Sequence, residues 1–231
     1  MKGLFTNGVK AVVLDLLPEF ERASGAAPAI TRSITWGSTA TLVGEIGKGA
    51  SGDLAILSDE AIDDLIRQGK IVPGSRVDLA RSAIGIAVRK GAPKPDIGSA
   101  DALKNALLSA RTISYSKTGI SGVYFPTVLE RLGIATQVAS KTQIPSPGVL
   151  VGDLVARGDA EIGVQQISEL LPVPGIEIVG PLPPALQKLT VFSAGLFMGA
   201  NEPQVAKALV TLLTSPSARS VYERKGLEPV Q

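Results

Sequence analysis

Short apolar runs alternate with amphipathic segments along the first third of the chain. Residues 2–6 and 30–36 have the pattern of strands, and the apolar residues between Val9 and Phe20 recur at helical spacing. Residues 53–57 form another apolar run, and Ser58 then precedes a helical pattern with acidic residues in its first turn. Such alternation is typical of strands that are joined by helices. The sequence therefore predicts an α/β fold with mostly parallel sheets flanked by helices.

Two long apolar segments divide the chain. Residues 76–88 are too long for an ordinary strand, and residues 189–198 form a similar run late in the sequence. One strand in each place, crossing from one lobe to another, would explain both lengths. We therefore predict two lobes: an outer lobe of residues 1–80 and 191–231, and an inserted lobe of residues 81–190. A ligand cleft is expected between them.

The composition excludes several kinds of chemistry. The 231 residues include no His and no Cys, so the chain has no disulfide, no thiolate nucleophile, no Ser-His-Asp triad and no metal site built from His or Cys. No apolar stretch is long enough to span a membrane. A net charge of +2 without a dense Lys/Arg block does not favour nucleic acid as a partner. We predict no cofactor, no metal and no catalytic residue.

The first two candidate ligand segments lie where a predicted strand gives way to a helix. Backbone N–H groups at the start of a helix lack internal partners and attract anions. In Thr6-Asn7-Gly8, glycine would let a ligand approach the backbone, or Asn7 would simply cap the helix. At Ser38-Thr39, the Ser38 hydroxyl could cap the helix or donate to a ligand, with the amide of Thr39 pointing the same way.

The other two candidate segments lie in the inserted lobe. Residues 114–122 are rich in small and hydroxylated side chains, and the predicted ligand residues there are Ser116, Lys117, Thr118, Gly119 and Ser121. Lys117 could supply a charge or remain solvated. Gln165 and Gln166 follow a predicted strand. Because adjacent residues of a strand point in opposite directions, at most one of these two is expected to face the cleft.

Several motifs, taken in order, resemble substrate-binding proteins of ABC importers of the molybdate-binding type. They are residues 19–25, 37–42, 49–54, 65–76, 79–82, 88–93, 154–163 and 215–229. The resemblance implies a two-lobe type II periplasmic-binding architecture that closes on its ligand by hinge motion. It also implies a periplasmic location and delivery of the ligand to the importer's membrane subunits. The family uses a serine at the position of Ser38 to bind its oxyanion.

Two positions depart from that family pattern. Gly8 lies at or near the place of a family serine, and Gln166 takes the place of a family tyrosine. A side-chain amide both donates and accepts hydrogen bonds, whereas a deprotonated oxyanion only accepts them. A small carboxylic acid or a protonated oxyanion therefore fits these residues better than molybdate does.

Taken together, the sequence predicts a monomeric, non-enzymatic solute-binding protein of an ABC importer with a small oxyanion or carboxylate ligand. Two alternatives stay open: a cytoplasmic ligand sensor, and an enzyme on the same scaffold with Lys117 or a cleft carboxylate as its base. The sequence begins at Met1 directly with a strand-like run. Either a leader is missing from it or the protein has none, so a periplasmic location is expected and a cytoplasmic one stays open.

Overall fold

The computed structural model describes residues 1–24, 33–146 and 149–230. The chain forms two compact units, one of Met1–Ser82 with Thr190–Gln231 and one of Ala83–Leu189. Each contains a β-sheet and helices, so the predicted α/β class is confirmed. Within the described ranges, every helix is too short or too polar to cross a bilayer.

The first unit is built on a six-stranded sheet with strand order β11-β4-β10-β3-β1-β2. Its strands are β1 (Gly3–Thr6), β2 (Ile34–Gly37), β3 (Leu54–Ser58), β4 (Val77–Ser82), β10 (Thr190–Leu196) and β11 (Glu228–Pro229). Its described helices are α1 (Lys10–Ser24), α2 (Thr39–Gly47), α3 (Asp59–Arg67), α9 (Pro203–Leu213) and α10 (Pro216–Arg224). The first part of the strand predicted over residues 30–36 lies outside the described residues.

The second unit is built on a five-stranded sheet with strand order β7-β6-β8-β5-β9. Its strands are β5 (Ile84–Arg89), β6 (Ile113–Tyr115), β7 (Thr142–Gln143), β8 (Ile162–Gln166) and β9 (Ile176–Pro181). Its described helices are α4 (Ala100–Ser109), α5 (Ile120–Arg131), α6 (Ala135–Ala139), α7 (Val151–Arg157) and α8 (Ile167–Leu170). The short elements α6, β7 and α8 escape the sequence prediction because each has too few residues to show a period.

Parallel pairing is confined to part of each sheet, whereas the sequence predicts mostly parallel sheets. In the first unit β1 pairs in parallel with β2 and β3, and in the second β6 pairs in parallel with β7 and β8. The strands next to the two connections between the units are antiparallel to their neighbours. β10 runs against β3 and β4, and β5 runs against β8 and β9.

The long segment at residues 76–88 is two strands, so the prediction of one crossing strand is wrong here. β4 ends at Ser82, β5 begins at Ile84, and the two belong to different sheets. Ser82 pairs with Thr190 of the first sheet, whereas Ile84 pairs with Gln166 of the second. The strand is interrupted at Ala83 because the hydrogen-bonding partners change from one sheet to the other between Ser82 and Ile84. An apolar run in the sequence does not reveal such a change of partners.

A buried carboxylate joins three separate segments of the first unit. Asp53 is 3% exposed and accepts hydrogen bonds from the backbone N–H groups of Lys2 (2.6 Å) and Glu202 (2.8 Å). Burial by itself raises the pKa of Asp53, but the backbone N–H groups of Glu202, Lys2 and Asn201 together hold this pKa below its usual value. The carboxylate therefore fixes the start of β3 against the chain before β1 and the chain before α9.

We expect Asp53→Asn to lower the free energy of unfolding by about 3 kcal/mol at pH 7, because an amide cannot accept hydrogen bonds with both of its polar atoms. The folded-state pKa is depressed, so the stabilisation by Asp53 is complete above the unfolded pKa and is lost as the pH falls through the folded one. The difference between wild type and variant should therefore shrink below about pH 4.

Urea unfolding at pH 7, 5 and 3 measures this difference. The exposed Glu19→Gln on α1 is the control and should change stability by less than about 0.5 kcal/mol. A difference for Asp53→Asn that is the same at pH 3 and pH 7 would contradict the assignment of a charged carboxylate.

Candidate functional site

The carboxyl ends of the parallel strands β1, β2 and β3 lie at one edge of the first sheet. The predicted ligand segments Thr6-Asn7-Gly8 and Ser38-Thr39 follow β1 and β2 at this edge. In open α/β sheets, ligands bind outside the carboxyl ends of the strands. The structure therefore brings the two predicted segments of this unit to the same edge.

Ser38 caps helix α2. Its Oγ accepts a hydrogen bond from the backbone N–H of Thr41 at 3.1 Å and lies 2.8 Å from Thr41 Oγ1. The capping role that the sequence suggests for Ser38 is thus confirmed. A ligand role for the same hydroxyl stays a prediction.

Thr39, the first residue of α2, carries a buried hydroxyl whose hydrogen-bonding capacity is unused. The residue is 6% exposed, and its Oγ1 has no hydrogen-bond partner among the described residues. Leaving a buried polar group unsatisfied costs about 1–3 kcal/mol. Such a group beside a helix start is well suited to donate to a bound acceptor.

At the end of β1 the structure gives a packing reason for the glycine. Asn7–Val9 form a short 3-10 helix capped by Thr6 without a side-chain hydrogen bond, so the suggestion that Asn7 is the cap is wrong. A methyl group on Gly8 would lie 2.2 Å from the ring of Phe192. Contact with Phe192 accounts for the glycine at this position, and ligand binding by Thr6, Asn7 and Gly8 stays a prediction.

Lys10 and Trp36 form a pair that the sequence analysis missed. The Lys10 ammonium lies 5.6 Å from the centroid of the Trp36 ring, and Lys10 is exposed. Lys10 begins α1, and Trp36 is two residues before Ser38. The pair therefore puts a cation and the single Trp of the chain close in sequence to both segments of this edge.

In the second unit, one predicted ligand segment follows β6, and the other, Gln165 and Gln166, forms the end of the neighbouring parallel strand β8. Ile113 pairs with Ile162 and Tyr115 with Val164, so residues 116–121 and residues 165–166 lie at the same edge of the sheet. Ser116 Oγ accepts from the N–H groups of Gly119 (2.8 Å) and Thr118 (3.3 Å) and so closes the loop on itself. A methyl group on Gly122 would lie 1.6 Å from the carbonyl oxygen of Ser116. Only glycine lets the loop pack this closely.

Helix α5 begins without a side-chain cap, and a buried hydroxyl lies in its first turn. Gly119 is the N-cap residue and supplies no side-chain hydrogen bond. Ser121 and Ser114 are each 0% exposed, and neither Oγ has a hydrogen-bond partner among the described residues. Lys117 and Thr118 are exposed, and Lys117 forms no ion pair within the described part of the chain. This segment offers hydroxyl donors, helix N–H donors and a positive charge.

Gln165 is engaged within its own unit. It is 4% exposed, its Oε1 accepts from the backbone N–H of Val151 at 3.2 Å, and its side chain forms a hydrogen bond with Glu169. Gln166 is 1% exposed. The polar groups of Gln165 thus join β8 to the start of α7 and to α8, and its predicted ligand role stays a prediction.

Glu169 on α8 is a titratable residue that the sequence analysis missed. It is partly buried, and burial raises the pKa of its carboxyl group to about 7, although the hydrogen bond with Gln165 opposes this shift. Glu169 lies three residues after the end of β8, and nothing in the sequence around it indicates that it is partly buried. Its burial depends on elements that are distant in the chain. Within the described residues, no three acidic side chains converge where a metal ion could be held.

The chain is similar to proteins of known structure or activity. It is 36% identical over 229 residues to an aconitate isomerase of a Pseudomonas species, with 98% of this chain and 87% of that protein covered. It is also similar to the periplasmic molybdate-binding protein of Azotobacter vinelandii, with a TM-score of 0.80, 20% identity and full coverage of both chains. A third match is the substrate-binding domain of a putative molybdenum ABC transporter from Clostridium difficile. Here the TM-score is 0.73 and the identity 16%, over 100% of this chain and 99% of that one.

The expectation of a non-enzymatic protein is wrong. The relative that is 36% identical to this chain over nearly its full length is named as an enzyme, although this chain has the fold of a binding protein. The absence of His and Cys led to that expectation. Carboxylates with shifted pKa values can supply general acid–base chemistry without either residue.

The resemblance to molybdate-type substrate-binding proteins is confirmed at the level of family and fold. The model of the family described as bacterial extracellular solute-binding protein matches residues 4–228, and the two similar structures are a molybdate-binding protein and a domain of a putative molybdenum transporter. A substrate-binding role follows from this family. This chain belongs to the bacterial extracellular solute-binding protein family.

Proposed function

We propose that this protein catalyses the isomerisation of aconitate or of a closely related unsaturated tricarboxylate. The observation that carries the proposal is the 36% identity, over 98% of the chain, to an aconitate isomerase. The buried hydroxyls of Thr39, Ser114 and Ser121, which lack partners among the described residues, support it. They occur in or beside segments that the sequence predicts to bind a small carboxylate or oxyanion.

The donors in these segments match a polycarboxylate. Carboxylate oxygens only accept hydrogen bonds, and hydroxyl groups and unpaired helix N–H groups can donate to them. Lys10 and Lys117 are exposed and would offset part of the negative charge. Hydrogen bonds from such groups to a charged acceptor are about twice as strong as those between neutral groups.

The reaction itself needs only a base and fixed anion contacts. Aconitate carries a methylene group next to its double bond, and both end carbons bear a carboxylate. Removing a proton from the methylene carbon delocalises the electron pair over three carbons. Returning the proton to the other end carbon moves the double bond, and the conformation held at that moment decides between the cis and trans products. Atoms and electrons balance without a cofactor.

A second function, delivery of a solute to an ABC importer, is favoured by the match to the extracellular solute-binding family. In that role the protein would work outside the cytoplasm as a monomer and would contact the importer's membrane subunits. The predicted ligand cleft and hinge closure stay predictions. A single carboxylate-binding site could serve both transport and isomerisation.

We expect the purified protein to convert cis-aconitate into trans-aconitate, and the reverse, until both reach the same equilibrium mixture. Proton NMR of the vinyl resonances follows the two isomers directly. In deuterated water, proton transfer should also place deuterium at the end carbons of the product. No conversion above that of buffer alone would contradict the proposed activity. Binding of either isomer without conversion would favour the transport function instead.

Replacement of the Thr39 and Ser121 hydroxyls should weaken ligand binding without lowering the stability of the fold. We expect Thr39→Val and Ser121→Ala to leave the free energy of unfolding unchanged or to raise it by about 1 kcal/mol, because no internal hydrogen bond is lost. Each should weaken binding of trans-aconitate about tenfold or more, because a hydrogen bond to a charged group is worth about 1.5–3 kcal/mol.

Calorimetric titration and urea unfolding measure these two effects. The exposed Thr35→Val on β2 is the matched control for Thr39→Val and should alter neither quantity. Unchanged affinity in both variants would exclude the Thr39 and Ser121 hydroxyls as ligand contacts.

A further inference from the structure

Within the second unit, Glu169 lies at the sheet edge that also carries the segment 116–121. It follows β8 by three residues, and β8 is the parallel neighbour of β6, the strand that precedes this segment. Helix α5, which begins at Ile120 with the buried Ser121 hydroxyl in its first turn, packs against β8. A carboxylate on α8 and the hydroxyl donors of α5 therefore lie at the same edge of the same sheet.

The Glu169 carboxylate is held by a short hydrogen-bonded chain. It bonds to the side chain of Gln165, and Gln165 Oε1 accepts from the N–H of Val151 at 3.2 Å. This arrangement fixes the amide so that its NH₂ group faces Glu169. The carboxylate is thus oriented by a buried residue, and Glu169 as a whole residue is partly exposed.

The charged groups on the elements around α8 have other partners. On α7, Asp153 accepts from the N–H of Leu150 and Arg157 pairs with Asp159. On β9, Glu177 pairs with Lys94, and on β5, Arg89 lies beside Gly158 at the far end of α7. β8 carries no charged side chain. Burial and Gln165 therefore set the proton affinity of Glu169.

We infer that Glu169 is the base that takes a proton from the methylene carbon of the tricarboxylate and, after exchange of its acidic proton with solvent, donates a proton to the other end carbon, with Gln165 as its positioning residue. This inference rests on the proposed isomerase function. The C–H bond at one end carbon breaks as the carboxylate gains the proton, and the new C–H bond at the other end carbon restores the carboxylate. A pKa of about 7 suits this task, because a base is most effective when its pKa lies near the working pH.

The test compares wild type with Glu169→Gln, and with the exposed Glu130→Gln on α5 as the control. We expect Glu169→Gln to lower kcat about a hundredfold or more, while trans-aconitate still binds and KM stays near the wild-type value. Deuterium incorporation should fall in the same proportion. A neutral amide avoids the cost of burying a charge, so the variant should melt at a higher temperature than wild type at pH 8 and show a smaller gain at pH 5.

The pH profile gives a readout that a purely structural role would not move. In wild type, kcat/KM should rise with pH through about 7 as Glu169 loses its proton. The hydrogen bond from Gln165 stabilises the charged carboxylate, so Gln165→Leu should shift this rise in kcat/KM to higher pH. Glu169→Asp should still show a rise of kcat/KM with pH, but with lower values of kcat/KM than wild type.

The outcomes separate the two claims. A wild-type protein without turnover overturns the isomerase proposal and the role of Glu169 with it. A wild-type protein that turns over, together with a Glu169→Gln variant of similar kcat, overturns the role of Glu169 alone. If kcat/KM of Gln165→Leu rises with pH near 7, as in wild type, the positioning role of Gln165 is overturned.

Discussion

The backbone pairing of β10 with both β3 and β4 is the interaction on which the first unit depends. β10 comes from residues that follow the whole second unit in the chain, yet it occupies the interior of the six-stranded sheet. Without it, β4 and β11 would have no link to β1, β2 and β3 through the sheet. Closing so long a loop costs entropy, and the hydrogen bonds and the buried side chains of β10 offset this cost. Phe192 of the same strand packs on Gly8 and so also shapes the end of β1.

Buried polar groups in this protein fall into two kinds, which have different meanings. Asp53 accepts hydrogen bonds from several backbone N–H groups, so its burial stabilises the fold. Thr39 and Ser121 are buried with no partner among the described residues, which costs stability. Hydrogen bonding to a bound carboxylate would offset this cost, and this is the physical basis of our proposal that these two hydroxyls contact the substrate.

Acid–base chemistry in a chain without His or Cys depends on burial. An exposed carboxyl group is fully ionised near neutral pH and is a weak base. Burial of Glu169 moves its pKa close to neutral, and Gln165 limits the shift. The absence of His and Cys therefore could not exclude catalysis, and the expectation of a non-enzymatic protein is contradicted by the similarity to an aconitate isomerase.

The sequence by itself determined the α/β class, the family and the capping of α2 by Ser38, because periodicity, helix-start residues and ordered motifs are local signals. It also pointed to Thr39 and Ser121, since both belong to segments where a strand gives way to a helix. Only the tertiary structure decided that residues 76–88 form two strands, that Gly8 packs on Phe192, and that the partly buried Glu169 lies beside Gln165. Each of these depends on contacts between residues far apart in the chain, and a local pattern of residue types carries no record of such contacts.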